Sequence, residues 1–495
     1  MRQLLARKPL ARIMKEAVGG SDGHTLHRVL SLGQLTALGI GAIIGAGIFV
    51  LTGVGAHDKA GPALILSFVV SGTACIFAGL CYAELAAMLP VAGSAYTYAY
   101  ATLGEMAAWI IGWNLIFEYT FAAASVAHGW SHYLQDFLGI FGLKLPYLIT
   151  NAPFDFSPET GRLLATGTMF DFPAIAIAVL LSALLVVGIK ESTRVNAAVV
   201  ALKVLIVLFI IAVGAFYVKP SNWVPFAPFG YGGLSLGGHV VFGRTGPGGD
   251  PVGMLAGAAV IFFAYIGFDA LSTQAEEAEN PQRDVPLSIL FSLLICTVLY
   301  IAVTAVLTGM VPYDQIDIDA PVSAAFKQIG LPWAQFLVSI GALAGLTSVS
   351  LVMILGQSRI FMSMARDGLL PRFFSAIHPK FRTPWKSTIL TGSVVAILAG
   401  LIPLRVLAEL VNIGTLLAFA IVCLGLLVLR KSDPGHPRPF RCPWVPLVPT
   451  LGILSCLVLM FSLPAATWLR LLVWIVIGLM VYALYGRSHS ALRAH

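Results

Sequence analysis

Residues 39–49 read Gly39-Ile40-Gly41-Ala42-Ile43-Ile44-Gly45-Ala46-Gly47-Ile48-Phe49, an apolar stretch that contains four glycines. A second apolar stretch, Phe262-Phe263-Ala264-Tyr265-Ile266-Gly267-Phe268-Asp269-Ala270, also carries a glycine near its middle. Inside a lipid bilayer the backbone satisfies its own hydrogen bonds, and irregular backbone is tolerated only where it lines a cavity. We therefore predict two interrupted membrane helices that line one cavity.

The composition supports a membrane protein. The chain has 495 residues, of which 58% are hydrophobic and only 11% are charged, and its mean hydropathy is +0.88. Soluble domains carry about a quarter charged residues. The basic first residues and the lack of a small-residue cleavage site argue against a secretory signal. The spacing of the six cysteines suggests neither disulfides nor a metal site.

A spanning helix needs about 20 apolar residues. By this measure the chain is an all-α membrane protein with twelve transmembrane helices. The predicted spans are 33–55, 62–88, 104–134, 172–189, 196–218, 252–273, 285–311, 332–358, 385–402, 404–430, 446–463 and 466–485.

Basic residues predict the orientation. With an even number of spans both termini share one side, and that side also receives the basic loops near 190, 359–386 and 430–441. The positive-inside rule places these loops and both termini in the cytoplasm, with the chain in the cell inner (plasma) membrane. Residues 1–30 then form a basic cytoplasmic N-terminal segment.

The two breaks fall in spans one and six, five spans apart. This spacing fits two five-helix repeats of opposite orientation, about 31–218 and 252–430, within a transport core over 31–430. Two further helices and the cytoplasmic C-terminus follow in 431–495. Matched breaks of this kind are typical of the substrate site of a secondary transporter. No nucleotide-binding motif is present, so a gradient must drive transport.

The breaks also predict the chemistry of the ligand. The helix that restarts after the first break presents free N–H groups and a positive dipole end, which attract a carboxylate. The carbonyls exposed at both breaks can accept hydrogen bonds from an ammonium, so the site suits the zwitterionic head of an α-amino acid. The alternative is that the glycines permit close helix packing, which fits Gly39 and Gly41 well. The predicted substrate-binding backbone is Ile43, Gly45, Ala46, Gly47, Phe263, Ala264 and Ile266.

Longer motifs carry a resemblance to a known family. Four runs are similar to those of the cationic amino acid transporter (CAT) family: FFAYIGFD at 262–269, EEAENPQRDVP at 276–286, ARDGLLP at 365–371 and RTPW at 382–385. The glycine motif of span one resembles the signature of the amino acid–polyamine–organocation (APC) superfamily, to which that family belongs. The resemblance covers about 30–485 but not the outer loop near 219–251.

The resemblance implies inverted five-helix repeats, discontinuous helices 1 and 6, and proton-coupled amino acid uptake. It implies that the backbone at Ala46 and Gly47 binds the carboxylate and that the carbonyls of Ile43, Phe263, Ala264 and Ile266 bind the amine. Many relatives carry Ser or Thr where Ala46 stands, so we expect this chain to lack one hydrogen bond to the carboxylate.

Two ionisable residues lie deep in predicted spans, where such groups are costly and usually functional. Burial disfavours the charged form of an amine, so Lys203 in span five can exchange a proton. The resemblance implies that Lys203 replaces the sodium ion of sodium-driven relatives and bridges toward the carbonyls of span one. Glu118 in span three pairs with a cation, takes part in proton movement, or is a structural carboxyl. For His128 and His132 we expect packing or interfacial roles.

The predicted substrate is a small neutral amino acid such as alanine. By the family comparison Met353 shapes the side-chain pocket, and its apolar thioether hinders Arg or Lys. A carrier of arginine and lysine and an amino acid/amine exchanger remain alternatives. Channels, receptors and enzymes lack support, because the sequence shows neither filter repeats nor a catalytic motif. The expected partners are the amino acid, protons and the lipid bilayer, without nucleic acid, cofactor or metal; a small accessory membrane protein is left open.

Overall fold

The structure is a computed structural model that describes residues 7–9, 30–89, 94–157, 162–188, 193–247, 249–269, 271, 272, 275 and 278–491. The predicted N-terminal segment 1–30 therefore lies outside the described residues, apart from 7–9 and Leu30. The described chain is mostly helical, and its three small sheets have two antiparallel strands each.

The helices follow the order of the predicted spans. They are α1 (Leu32–Ile43), α2 (Ala46–Phe49), α3 (Leu51–Val54), α4 (Leu64–Met88), α5 (Ser94–Thr102), α6 (Glu105–Ile140), α7 (Phe172–Val187), α8 (Thr193–Gly214), α9 (Met254–Ile261), α10 (Pro281–Met310), α11 (Pro321–Gln328), α12 (Pro332–Arg366), α13 (Trp385–Leu401), α14 (Leu404–Ser432), α15 (Leu447–Phe461), α16 (Ala465–Val481) and α17 (Arg487–His489). A π-helix (Gly55–Ala60) follows α3, and a 3₁₀-helix (Phe262–Tyr265) follows α9.

Length and composition mark the helices that can cross a membrane. Within the described residues seven are long and apolar enough: Leu51–Met88, Glu105–Ile140, Ala197–Tyr217, Pro281–Met310, Pro332–Arg366, Leu404–Ser432 and Ala465–His489. Five shorter apolar helices accompany them: Leu32–Ile43, Phe172–Val187, Met254–Tyr265, Trp385–Leu401 and Leu447–Phe461.

Helix α6 is the central element of the bundle. It packs against α12, α14 and α7, while α10 packs against α4 and α1. In the most apolar 18-residue stretch of α6, 83% of the residues are buried inside the protein. In the corresponding stretch of the last long helix, Ala465–His489, the share is 22%. The breaks in the first and sixth apolar segments lie beside this enclosed region, because α2 contacts both α6 and the 3₁₀-helix.

Two helices run past their predicted ends. Helix α6 continues to Ile140 rather than 134, and α12 continues to Arg366 rather than 358. Each stops where a glycine takes up a left-handed conformation, Gly142 with φ +73° and Gly368 with φ +77°. The hydrogen bonds at both ends are those of a Schellman cap. Hydropathy missed these ends because the last turns contain polar residues.

The outer loops contain strands, so the all-α prediction is incomplete. Loop 138–171 holds β1 (Phe154–Ser157) and β2 (Arg162–Ala165), and loop 219–251 leads into two further pairs. These are β3 (Leu234–Leu236) with β4 (His239–Phe242), and β5 (Arg244–Thr245) with β6 (Pro251–Val252). Gly237 and Gly238 join β3 to β4 with φ +59° and +87°, the conformation that a tight hairpin turn requires.

Candidate functional site

The first break lies between α1 and α2. Helix α1 ends at Ile43, Ile44 is extended with ψ 104°, and Gly45 (φ −161°, ψ −137°) leads into α2 at Ala46. A Cβ at Gly45 would lie 2.7 Å from a methyl group of Val349, and one at Gly47 would overlap the backbone of Ala264. The glycines therefore serve a helix interruption and close packing at the same time.

The second break follows the 3₁₀-helix. Ile266 is extended with ψ 137°, and Gly267 has φ +115°, a conformation that favours glycine. A Cβ at Gly267 would lie 2.8 Å from the carbonyl oxygen of Ala42. Gly47 against Ala264 and Gly267 against Ala42 place the two breaks in direct contact.

A tyrosine joins the two breaks. The Tyr300 hydroxyl in α10 lies 2.8 Å from the carbonyl oxygen of Ile43 and 3.0 Å from that of Ala264. The carbonyl of Phe263 accepts a hydrogen bond from the Ile266 amide at 3.1 Å. Three carbonyls that we expected to be free therefore already have donors, because buried carbonyls rarely remain unpaired.

Tyr300 is not among the residues predicted from the sequence. This residue lies in an apolar run without a motif, and it is fully buried. The available signal was a tyrosine in the middle of a membrane helix, since a buried phenol usually finds a hydrogen-bond partner.

The start of α2 differs from the end of α1. Among the described residues no hydrogen-bond acceptor is found for the backbone N–H groups of Ala46 and Gly47. Both residues are buried, with 1% of Ala46 exposed. An oxyanion can bind unpaired N–H groups of this kind.

Lys203 lies beside the first break. Its Nζ donates hydrogen bonds to the carbonyl oxygens of Gly41, at 2.7 Å, and Ile44, at 3.3 Å. A Cβ at Gly345 would lie 3.6 Å from its Cε and 3.5 Å from the ring of Phe49. The lysine is fully buried, and its side chain reaches from α8 to the region between α1 and α12.

Glu118 lies apart from this lysine. It is 1% exposed, and among the described residues neither carboxyl oxygen has a hydrogen-bond partner. Asn114, one turn earlier on α6, also has an unpartnered side-chain amide. The adjacent Tyr119 donates a hydrogen bond to Asp269 at 3.1 Å. The structure therefore gives Glu118 a polar, enclosed environment but no contact with Lys203.

Met353 belongs to the face of α12 that lines the first break. Val349, one turn before it, lies against Gly45, and Gly356, one turn after it, lies against the ring of Tyr119. Met353 is 2% exposed. Since residues three or four apart share a helix face, Met353 lies on the same face of α12 as these two contacts.

Comparison with known proteins identifies the family of this chain. A family profile described as amino acid permease matches residues 30–484. The branched-chain amino acid permease BcaP of Bacillus subtilis (strain 168) is 48% identical over 97% of this chain and 97% of its own. The methylthioribose transporter of the same organism is 45% identical over 99% and 100% of the two chains.

A more distant relative is cationic amino acid transporter 4, vacuolar, of Arabidopsis thaliana. It is 34% identical, and the match covers 99% of this chain and 97% of its own. These relatives are named permeases and transporters rather than enzymes. The family match covers most of the chain, including both breaks and the helices that carry Lys203, Tyr300 and Met353. The chain is therefore a membrane transport protein of the amino acid permease family, within the APC superfamily.

Proposed function

We propose that this protein is a secondary active carrier that takes up L-amino acids with small neutral side chains, alanine among them, together with protons. The observation that carries the proposal is the contact between the two breaks. Gly47, which with Ala46 carries the unpaired N–H groups, packs against Ala264, whose carbonyl belongs to the second break. Donors for a carboxylate and acceptors for an ammonium then occur within one small region.

Tyr300 lies in the proposed amine site. Its hydroxyl lies within hydrogen-bond distance of the carbonyl oxygens of Ile43 and Ala264. A substrate ammonium has three donors and can replace the single donor of the hydroxyl. In the proposed cycle the amine displaces Tyr300 as it binds, with Gly45, Phe263 and Ile266 forming the rest of the wall.

We further propose that Lys203 carries the coupled proton. Its ammonium holds the carbonyls of Gly41 and Ile44 next to the break. Loss of the proton removes the positive charge that strengthens both hydrogen bonds, so the protonation state of Lys203 affects the geometry of the carboxylate site. The isolated carboxyl of Glu118 is proposed as a second group on the proton route.

The proposed architecture has twelve spans. The seven long and five shorter apolar helices correspond in order to the predicted spans. Residues 31–218 and 252–430 form the inverted repeats, and 431–495 contain the last two spans. Both termini lie on the cytoplasmic side of the plasma membrane, on the basis of the positive-inside rule.

Side-chain specificity is proposed to depend on Met353. A buried thioether accepts apolar side chains and offers a long cationic one no strong acceptor. The name of the relative at 48% identity adds branched-chain amino acids as a second candidate class. The alternatives are transport of arginine and lysine, and exchange of amino acids against amines. The first alternative is kept because more distant relatives are named cationic amino acid transporters.

Reconstitution into liposomes tests these assignments. Uptake of labelled alanine is measured with and without an inward proton gradient, in competition with leucine, arginine and methylthioribose. Alanine accumulation that needs the gradient supports the proposal. Counterflow without any effect of the gradient supports exchange, and stronger competition by arginine than by alanine overturns the specificity assignment. Preference for methylthioribose, which has neither carboxylate nor ammonium, contradicts the amino acid site.

A further inference from the structure

A group of histidines and carboxylates lies outside the proposed amino acid site, in the half of α6 that ends at Ile140. His128 and His132 are four residues apart and therefore share one helix face. Their Nε2 atoms are 3.2 Å apart and share a hydrogen bond, whose proton a bound metal ion would replace. Asp171, which caps the start of α7, contributes a carboxylate, and one ligand atom from each of the three residues lies within 4.8 Å of the others.

Each imidazole faces a carboxylate through its other nitrogen. His128 Nδ1 is 3.2 Å from Oδ2 of Asp171, and His132 Nδ1 is 3.8 Å from Oδ2 of Asp319. The other oxygen of Asp171 accepts hydrogen bonds from Ser131 at 2.5 Å and from the Ala174 amide at 3.1 Å. Asp171 is therefore held in place by α6 and α7 together.

The inner part of this group is buried and incompletely hydrogen-bonded. His128 is 2% exposed and Asp171 is fully buried. Within the described residues, His128 Nδ1 and Asp171 Oδ2 lack a well-formed hydrogen bond. These two atoms face each other at 3.2 Å, so the Asp171 carboxylate lies directly behind the His128 ring.

We propose that His128 and His132 form a binding site for a borderline transition-metal ion of the Zn²⁺ class, with Nε2 of both rings as ligands. Two nitrogens about 2.0–2.1 Å from a tetrahedral Zn²⁺ are about 3.3 Å apart, close to the spacing found here. Asp171 and Asp319 accept the Nδ1 protons, as carboxylates commonly do behind histidines that bind metals. Histidines four apart on one helix face are a recurrent zinc-binding arrangement.

An ion can reach this site from one side. The side chain of His132 is 14% exposed and that of Asp319 is 39% exposed, whereas His128 is buried on the side away from solvent. The segment before α11 that carries Asp319 packs against the first broken helix, because a Cβ at Gly53 would overlap the carbonyl of Asp317. A metal ion on His132 Nε2 would fix the ring proton on Nδ1, which faces Asp319, and would so strengthen the link between this segment and α6. We expect bound metal to slow transport, an expectation that rests on the proposed function.

Metal binding is tested without transport, on the purified full chain in detergent. Calorimetric titration with ZnCl₂ should show one site per chain, and titration with CoCl₂ should give the visible absorption of tetrahedral Co²⁺. MgCl₂, which prefers oxygen ligands, should not compete. We expect His132→Gln to abolish the cobalt spectrum. Asp319→Asn should weaken Zn²⁺ binding by about 10–100-fold, as loss of a carboxylate behind a ligand does.

His239 provides the matched control, because it is an exposed histidine in the β3–β4 hairpin. His239→Gln should bind Zn²⁺ like the parent. A parent that binds no Zn²⁺, or an unchanged cobalt spectrum in His132→Gln, overturns the site. If the buried His128→Gln variant does not fold, the partly exposed His132 still decides the question.

A transport measurement separates this site from the proposed function. Zn²⁺ is added outside the liposomes at a concentration that saturates the site of the parent. The factor by which it reduces alanine uptake should be at least about tenfold larger for the parent than for His132→Gln. Cobalt binding in a protein that does not transport alanine would keep the metal site and reject the amino acid assignment. Equal inhibition of both proteins would reject the link between this site and transport.

Discussion

The Nζ atom of Lys203 lies 2.7 Å from the carbonyl oxygen of Gly41, inside the helix bundle. Because α1 ends at Ile43, the carbonyls of its last turn have no amide donors four residues further on. The ammonium supplies donors to the carbonyl of Gly41 in this last turn and to that of Ile44, which follows the helix. A charged side chain on α8 thus completes the hydrogen bonding of an interrupted helix.

Lys203→Ala should abolish accumulation of alanine driven by a proton gradient, because the variant lacks the buried amine proposed to carry the proton. Counterflow, which needs no coupling, should be retained at least in part. Both activities are measured in the same liposome preparation. Lys219→Ala, at an exposed lysine, is the control and should behave like the parent. Undiminished uphill uptake by Lys203→Ala would contradict the coupling role.

Ala46→Ser should strengthen binding of the amino acid. The new hydroxyl would lie at the start of α2 and donate a hydrogen bond to the carboxylate. Hydrogen bonds to charged groups contribute about 1.5–3 kcal/mol, which sets the upper limit of the gain. Calorimetry with alanine measures the change. Ala212→Ser, at an exposed position of α8, should leave affinity unchanged, and equal affinity of parent and Ala46→Ser would place the carboxylate elsewhere.

Met353→Ser should admit arginine. The shorter side chain leaves space and provides a hydroxyl for a long cationic substrate, which needs polar partners. Competition by arginine and alanine against labelled alanine is compared in parent and variant. Met364→Ser removes another buried methionine from α12, next to Gly112, and should not change selectivity. A parent that prefers arginine would show that Met353 is not a size filter.

Tyr300→Phe should lower the stability of the substrate-free protein. The variant leaves the buried carbonyls of Ile43 and Ala264 without the Tyr300 hydroxyl, and an unsatisfied buried group costs about 1–3 kcal/mol. Thermal unfolding in detergent measures the loss. The control is Tyr217→Phe, since Tyr217 is 39% exposed and should tolerate the change. Equal melting temperatures for parent and Tyr300→Phe would show that the hydroxyl does not connect the two breaks.

Glu84→Gln should destabilise the end of the bundle where α4 and α14 finish. Glu84 is fully buried and makes two hydrogen bonds with Arg430, at 2.8 and 2.7 Å, while Arg438 Nε lies 3.1 Å away. Removing one partner of a buried ion pair costs about 3–5 kcal/mol. We expect a lower melting temperature, with the exposed Glu279→Gln as control. An unchanged melting temperature would indicate that the arginines are hydrated without Glu84.

The predicted location of the breaks followed directly from local sequence. Glycines at 45 and 47 and at 267 mark them, and the structure interrupts its helices at 44–45 and 266–267. The helix ends at Gly142 and Gly368 were predicted less well. Each cap depends on a single left-handed glycine, which hydropathy does not detect.

The sequence by itself determined the membrane class, the order of the apolar helices and the two interruptions. These properties depend on composition, on apolar length and on glycine, and each acts within one stretch of chain. Only the tertiary structure decided that the Tyr300 hydroxyl lies between carbonyls of both breaks and that Asp171 lies behind His128. These contacts join residues far apart in sequence, so they depend on how the helices pack, and no local pattern of residues encodes that packing.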